Sequence, residues 1–165
     1  LRGNLDTRLR KLDEGQYDAI ILAAAGLNRL SLSDRAKSYF TEAEMLPAVA
    51  QGAVGIELRT SDTELLAGLL FMDHQETSLA VRAERGFLHR LQGGCQVPIA
   101  GFAKIAENTI QMTGLVASVT GDKMIRLNLS GDTTDPEGLG IRLAEKLLAE
   151  GGGAILSEVY GHEMH

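Results

Sequence analysis

Three β-rich stretches separated by short polar turns constrain the fold of this chain more than any other feature. They cover residues 97–105, 109–118 and 123–129, and the turn before the third stretch reads Thr120-Gly121-Asp122-Lys123. Turns this short connect neighbouring antiparallel strands. The sequence therefore predicts a three-stranded antiparallel sheet in the form of a meander.

A helix is predicted directly after this sheet. Asp135 is a favourable N-cap, Pro136 suits the first helical position, and the three glycines at 151–153 are a stop signal. The apolar face of the helix consists of Ile141, Leu143, Ala144, Leu147 and Leu148. Together with a long helix predicted between Asp73 and about Leu91, these elements indicate a small α+β domain.

The beginning of the chain follows a different, α/β pattern. After Asn4, a good N-cap, three leucines recur at helical spacing: Leu5, Leu9 and Leu12. Residues 17–25 are an apolar run closed by Gly26, which is typical of a strand buried on both faces of a parallel sheet. A short helix is expected within residues 33–40.

The middle of the chain is harder to assign. Residues 51–58 mix apolar alternation with glycines that permit close backbone approach, and this pattern fits either a second apolar strand or a crossing between domains. Ser61 and Glu64 then have the spacing of a capping box, which predicts a helix that contains the leucines after Glu64.

Composition limits the classes of function. The 165 residues are 44% hydrophobic and 23% charged, and no apolar run approaches the roughly 20 residues of a membrane span. A net charge of −6 offers no general basic face for nucleic-acid phosphates. We therefore expect a cytoplasmic globular protein that binds neither membranes nor nucleic acid and whose anion sites are local.

The only cysteine, Cys95, follows two glycines. One thiol cannot form an intrachain disulfide, so the residues leave two interpretations: a small apolar residue near a strand, or a reactive nucleophile. The four histidines lack a cysteine or carboxylate cluster at ligand spacing, so we predict no metal site. Residues 162–165 are expected to form a tail.

Several segments, taken in chain order, carry a resemblance to a known family. They are Arg2-Gly3-Asn4 with Thr7-Arg8-Leu9, Tyr17-Asp18-Ala19-Ile20-Ile21-Leu22-Ala23, Ala25-Gly26-Leu27-Asn28-Arg29-Leu30, Leu46-Pro47-Ala48-Val49, Gln51-Gly52-Ala53-Val54-Gly55-Ile56-Glu57, Ala83-Glu84-Arg85 and Gly93-Gly94-Cys95-Gln96-Val97-Pro98-Ile99. These segments closely resemble the porphobilinogen deaminase family, also called hydroxymethylbilane synthases. The resemblance runs from Leu1 to the C-terminal region.

This resemblance implies a three-domain transferase of heme and tetrapyrrole biosynthesis. It joins four porphobilinogen molecules into hydroxymethylbilane, with release of ammonia, on a covalently bound dipyrromethane primer. The first two domains are similar to type II periplasmic binding proteins. By this resemblance residues 1–46 are the C-terminal part of the second α/β domain, residues 47–72 cross back to the first, and residues 73–165 form the α+β domain to which the cofactor is attached. The catalytic aspartate of the family would precede Leu1.

The resemblance also implies roles for individual residues. Cys95 matches the cysteine that holds dipyrromethane through a thioether bond. Arg2, Arg8 and Arg29 match arginines that contact the carboxylates of cofactor and substrate, and forked guanidinium groups suit carboxylates. Taken alone, each arginine is more simply a solvated surface charge.

Three further residues have weaker assignments. Arg85 matches an arginine near the path of chain extension and exit. Gln51 and Gly52 lie in the crossover, where a hinge or tight strand and a backbone contact near the cleft are alternatives.

Two hypotheses of function follow. In the first, the chain is the C-terminal part of a porphobilinogen deaminase and is inactive alone. In the second, it is a noncatalytic stand-alone module that binds acidic pyrroles or a partner protein. We expect the full-length protein to be a monomer that needs no metal, and the shorter chain to self-associate through exposed sheet edges and apolar surface.

Overall fold

The computed structural model describes residues 1–92 and 97–162. The chain divides into an N-terminal unit, residues 1–41, and a C-terminal unit, residues 42–165. None of the helices in the described residues combines the length and the apolar character that a membrane crossing requires.

The N-terminal unit contains two short helices. Helix α1 spans Leu5–Asp13 and is capped as predicted, because the Asn4 side chain accepts a 2.9 Å hydrogen bond from the backbone N–H of Thr7. Helix α2 spans Ala24–Arg29. Leu9 and Leu27 are the buried hydrophobic residues of this unit, so its apolar core is small.

The prediction of a strand over residues 17–25 is wrong. Residues 17–23 pair with no other segment, Ala24 already begins α2, and Ile21 is 61% exposed. A strand needs a neighbour for its N–H and C=O groups, and the described N-terminal unit contains no second strand. The helix expected within residues 33–40 is reduced to the 3₁₀ turn Ser33–Arg35, since the aromatic rings that follow it stay exposed and provide no packing.

In the C-terminal unit the described residues form the sheet and four helices. The strands are β1 (Ile99–Ala106), β2 (Thr109–Ala117) and β3 (Met124–Asp132), antiparallel in the order β1-β2-β3, which confirms the predicted meander. The helices are α3 (Thr63–Leu69), α4 (Gln75–Arg90), α5 (Pro136–Leu147) and α6 (Gly153–His162), with a 3₁₀ turn at Leu70–Met72 and a π turn at Leu148–Gly152.

One face of the sheet packs against α4 and α5 and forms the core. Its fully buried side chains come from both helices and from β2, and the largest are Phe87, Ile110, Met112, Leu139, Leu143, Leu147 and Val116. Each such side chain contributes about 1.5–3 kcal/mol relative to exposure. The α+β part of the predicted fold is therefore confirmed. No parallel sheet occurs among the described residues.

Two glycines allow α4 and α5 to approach closely. A Cβ atom at Gly86 would lie 2.5 Å from the carbonyl oxygen of Glu137, and one at Gly140 would lie 2.7 Å from the backbone nitrogen of Phe87. Real Cβ atoms are not found at such distances. Both helices can pack at this separation only because these positions lack side chains.

The predicted start of α5 is confirmed, because the Asp135 side chain accepts a 3.0 Å hydrogen bond from the backbone N–H of Gly138. Ile141 was predicted to lie on its apolar face and is instead 37% exposed, whereas Leu143, Ala144 and Leu147 are fully buried. The glycines that follow do interrupt the helix, at Gly151 with φ +106°. The chain then forms α6, which the sequence analysis did not predict, and the described part of the expected tail is the end of that helix.

The segment before α3 is irregular. The strand alternative for residues 51–58 is wrong, since these residues join no ladder and Val54 is 87% exposed. The prediction of a capping box formed by Ser61 and Glu64 is also wrong, because the N-cap of α3 is Asp62 and no side chain caps this helix end. Without a sheet or helix packed against it, this segment gains little from regular structure.

Candidate functional site

The side chains of Arg8 and Lys11 both contact the backbone of Arg2 and Gly3, just before α1. The Nε atom of Arg8 donates a 2.8 Å hydrogen bond to the carbonyl oxygen of Gly3, whose φ of +120° turns the chain into the helix. Lys11 Nζ lies 3.5 Å from the carbonyl oxygen of Arg2. The Arg8 guanidinium and the Lys11 ammonium therefore both lie at the backbone that leads into α1, where the helix dipole adds further positive potential.

Ion pairing divides the arginines of the N-terminal unit into two groups. Arg10 binds Glu14 at 2.8 Å, and Arg35 binds Asp13 at 2.5 Å. No carboxylate among the described residues pairs with any arginine of the second group: Arg2, Arg8 and Arg29. The three arginines assigned to carboxylate binding are the ones that retain free guanidinium N–H donors.

Among the three arginines without a carboxylate partner in the described residues, Arg29 lies on a different helix from Arg8. It is the exposed last residue of α2, and within the described chain no hydrogen bond links it to Arg2 or Arg8. The two helices are nevertheless neighbours, because a Cβ atom at Gly26 would lie 3.8 Å from Leu5 Cδ2. The structure thus places Arg8 against the backbone next to Arg2, and it places Arg29 on the neighbouring helix.

The arginines of α4 show the same division. Arg82 binds Glu137 through two hydrogen bonds of 2.5 and 2.9 Å, and Arg90 lies 3.4 Å from Glu145. Arg85 is exposed and has no carboxylate partner among the described residues. It lines an open depression together with Leu88, His89 and Gln92.

Gln51 and Gly52 lie in a turn that is bound to the edge of the sheet. Gln51 Oε1 accepts a 3.2 Å hydrogen bond from the backbone N–H of Ala48, so this side chain folds back on its own turn. Gly52 has φ +93° with open space around it. The carbonyl oxygen of Pro47 accepts a 3.1 Å hydrogen bond from Gly101 in β1, which fixes the turn to the C-terminal unit.

Glu84 is the buried charged residue of the described core, and no role was predicted for it from the sequence. It is 5% exposed, and its two oxygens accept hydrogen bonds from the backbone N–H groups of Ala103, at 2.8 Å, and Ala50, at 2.6 Å. Burial raises the pKa of Glu84, and the two N–H groups partly oppose that rise. The signal in the sequence was its helical spacing from Ala80, Phe87 and Leu91, which places a charge on the apolar face of α4.

Cys95 lies outside the described residues, in the gap between Gln92 and Val97. The outer face of the sheet has another open depression, lined by Lys104, Arg126 and neighbouring polar residues. The Arg126 guanidinium donates hydrogen bonds to the carbonyl oxygens of Glu42 and Ala43, at 2.9 and 2.7 Å. None of the residues assigned to the site lines that face, so it does not belong to the candidate site.

Two family models match the chain. Residues 1–67 match the model described as "Porphobilinogen deaminase, dipyromethane cofactor binding domain", and residues 78–149 match "Porphobilinogen deaminase, C-terminal domain". The first match contains Arg2, Arg8, Arg29, Gln51 and Gly52, and the second contains Glu84, Arg85 and Cys95.

Curated relatives agree with these matches. The chain is 52% identical over 160 residues to the porphobilinogen deaminase of Synechococcus elongatus, covering 97% of this chain and 50% of that protein. It is 49% identical over 164 residues to the enzyme of Geobacter metallireducens, covering 99% and 52%, and 52% identical over 160 residues to that of Brevibacillus brevis, covering 96% and 51%. The chain spans about half the length of these relatives.

Proposed function

This chain belongs to the porphobilinogen deaminase family, and we propose that it is the part of such an enzyme that anchors and binds the dipyrromethane primer. The complete enzyme joins four porphobilinogen molecules into hydroxymethylbilane and releases ammonia. The observation that carries the proposal is the set of arginines without carboxylate partners among the described residues, within the segment that matches the cofactor-binding model.

The chemistry of these donors fits the cofactor. Every pyrrole ring of dipyrromethane and of porphobilinogen carries an acetate and a propionate. Arg2, Arg8 and Arg29 offer guanidinium N–H groups that bind carboxylates in pairs, and each charge-assisted hydrogen bond is stronger than a neutral one. Arg10 and Arg35, which already hold Glu14 and Asp13, are not assigned to the ligand.

Cys95 is proposed as the covalent anchor. A thiolate is a strong nucleophile, and the two preceding glycines leave little side-chain bulk beside the sulfur. When bound, dipyrromethane supplies the primer to which the porphobilinogen units are added. The arginines hold its carboxylates, and Arg85 and the turn of Gln51 and Gly52 lie along the path of the growing chain.

The proposal includes the organisation of the complete enzyme. Residues 1–46 and 47–72 would belong to two α/β domains of the periplasmic-binding-protein type. The catalytic aspartate is not assigned to any residue of this chain. The 165-residue chain alone therefore should not release hydroxymethylbilane, and the complete enzyme is expected to work in the cytoplasm.

The test compares arginines with and without a partner in the full-length protein. Arg29→Gln should lower kcat/KM for porphobilinogen by about 10- to 100-fold, because one charge-assisted contact is lost. Arg10→Gln, which removes an equally exposed arginine bound to Glu14, should stay within about twofold. Equal losses in the two variants would exclude the proposed role of the unpaired arginines.

Intact mass tests the anchor independently. The full-length protein should carry a dipyrromethane adduct, and Cys95→Ser should carry none. An adduct retained by Cys95→Ser would refute the anchor. Turnover by the 165-residue chain alone would refute the requirement for residues outside it.

A further inference from the structure

Lys11 contacts the same stretch of backbone as Arg8. The two residues are three apart in α1, a spacing that brings side chains to neighbouring positions on a helix. Arg8 Nε donates its 2.8 Å hydrogen bond to the carbonyl oxygen of Gly3, and Lys11 Nζ lies 3.5 Å from that of Arg2. The guanidinium and the ammonium group therefore lie at consecutive residues of the backbone that leads into the helix.

Neither of these cations has a counter-charge in the described part of the chain. The ion pairs of the N-terminal unit join Arg10 to Glu14 and Arg35 to Asp13, and none includes Arg8 or Lys11. Arg10 is exposed, whereas Arg8 and Lys11 are half-buried. Because water and salt screen half-buried charges less than exposed ones, two neighbouring cations without an anion raise the electrostatic free energy of the unliganded site.

A carboxylate ligand would remove this unfavourable arrangement. The hydrogen bond to Gly3 uses Arg8 Nε, and no described residue binds the two terminal nitrogens of the guanidinium, so these remain as donors. The Lys11 ammonium has three N–H groups, of which the carbonyl oxygen of Arg2 takes at most one. A carboxylate has two oxygens and accepts from both groups at once, in charge-assisted hydrogen bonds.

We propose that Lys11 is a further binding residue for the dipyrromethane primer: together with Arg8 it holds one acetate or propionate group. The identity of this ligand rests on the function proposed above, and both cations lie within residues 1–67, the match to the family's cofactor-binding model. The uncompensated pair of cations rests on contacts between described residues alone.

The first experiment measures turnover by the full-length protein. Lys11→Gln should lower kcat/KM for porphobilinogen by about 10-fold, because one charge-assisted contact to a carboxylate is lost. Lys11→Arg keeps the positive charge and should stay within about threefold of the wild type.

Lys37→Gln is the matched control for this experiment. Lys37 is an exposed lysine of the same unit and also lacks an ion pair among the described residues, so its loss should change kcat/KM by less than about twofold. A wild-type kcat/KM in Lys11→Gln, or an equal loss in Lys37→Gln, would overturn the proposal.

The second experiment measures contact with the primer without turnover. A short pulse of acetic anhydride acetylates accessible lysine side chains, and peptide masses give the extent of reaction at each lysine. Lys11 should react several-fold more slowly in full-length protein that carries the dipyrromethane adduct than in Cys95→Ser, which should carry none. Lys37 should react equally in both proteins.

The outcomes separate this binding role from the cysteine anchor. Equal acetylation of Lys11 in the loaded protein and in an adduct-free Cys95→Ser would overturn the contact and leave the anchor standing. If Cys95→Ser retained the adduct, the anchor would fail, and the kcat/KM of Lys11→Gln compared with Lys11→Arg would still decide whether Lys11 binds the ligand.

Discussion

The carboxylate of Glu84 and the backbone N–H of Ala50 form a 2.6 Å hydrogen bond across 34 residues of sequence. The same carboxylate accepts the backbone N–H of Ala103 in β1. This buried side chain thus links the turn that carries Gln51 and Gly52 to the edge of the sheet, in addition to the hydrogen bond between Gly101 and Pro47.

Glu84→Gln should change how stability depends on pH. Burial raises the pKa of Glu84 above its value of 4.5 in the unfolded chain, so the folded state binds more protons in that range. The stability contributed by this group is therefore fully present below the unfolded pKa, and it is lost as the pH rises through the folded pKa. Urea unfolding of both proteins from about pH 4 to 8 should show the advantage of wild type over Glu84→Gln shrinking as the pH rises.

Glu76→Gln, an exposed change on the same helix, is the control and should not alter the slope. An advantage of wild type over Glu84→Gln that grows with pH would contradict the assignment. At every pH the variant should be less stable, by about 1–3 kcal/mol, because the amide offers one acceptor to two N–H groups.

Gly140→Ala should destabilise the α4–α5 contact. The added methyl group would collide with the backbone of Ala83 and lie 2.7 Å from the nitrogen of Phe87, so the helices must separate. We expect a loss of about 1–3 kcal/mol in the free energy of unfolding, measured by urea denaturation.

Gly68→Ala provides the matched control for this change. Gly68 is also inside a helix, α3, but has no atoms within 4 Å of an added Cβ. Here the substitution should stabilise by about 0.5–1 kcal/mol, since alanine favours the helix. Equal effects at the two positions would show that close packing is not the cause.

Asp122→Asn should reduce the loss of stability in acid. The hydroxyl groups of Ser118 and Thr120 lower the pKa of Asp122 from 3.8 to about 2. This group therefore stabilises the fold above pH 3.8, and that contribution disappears as the pH falls toward 2. Thermal unfolding at about pH 6 and about pH 2.5 should show a smaller decrease in Tm for the variant. An identical decrease in Tm in both proteins would refute the lowered pKa of Asp122.

Phe71→Ser should weaken self-association of the 165-residue chain. Phe71 is 83% exposed, and Leu66, Leu70 and Met72, its neighbours in the sequence at the end of α3, are also exposed, so this stretch of the chain presents an apolar patch. Such patches drive association in water. Sedimentation velocity over a range of concentrations should show less dimer or oligomer for the variant.

Val119→Ser is the control for this prediction. Val119 is 74% exposed, but it lies in the turn between β2 and β3, away from that patch in the sequence. It should leave the association of the chain unchanged. A wild-type distribution in Phe71→Ser would rule out the patch as the contact.

Local signals were sufficient for much of the C-terminal unit. The meander follows from apolar runs and short turns, and Asp135 and Pro136 mark the start of α5 because both act on their own backbone. The same kind of signal failed for residues 17–23, since a strand exists only with a partner and the described N-terminal unit has none. It also failed for Ser61, where no neighbouring structure supports the capping box.

For the candidate site, too, some features could be predicted from the sequence and others required the tertiary structure. The sequence by itself determined the family, the arginines and cysteine that resemble its binding residues, and the α+β order of the last elements, because these depend on residue type and spacing. Only the tertiary structure decided that Arg10 and Arg35 have carboxylate partners while Arg2, Arg8 and Arg29 have none among the described residues. It also decided that Glu84 is buried and that the Tyr160 hydroxyl contacts the end of α4. These features depend on which distant groups meet in space, and no local pattern of residues specifies that.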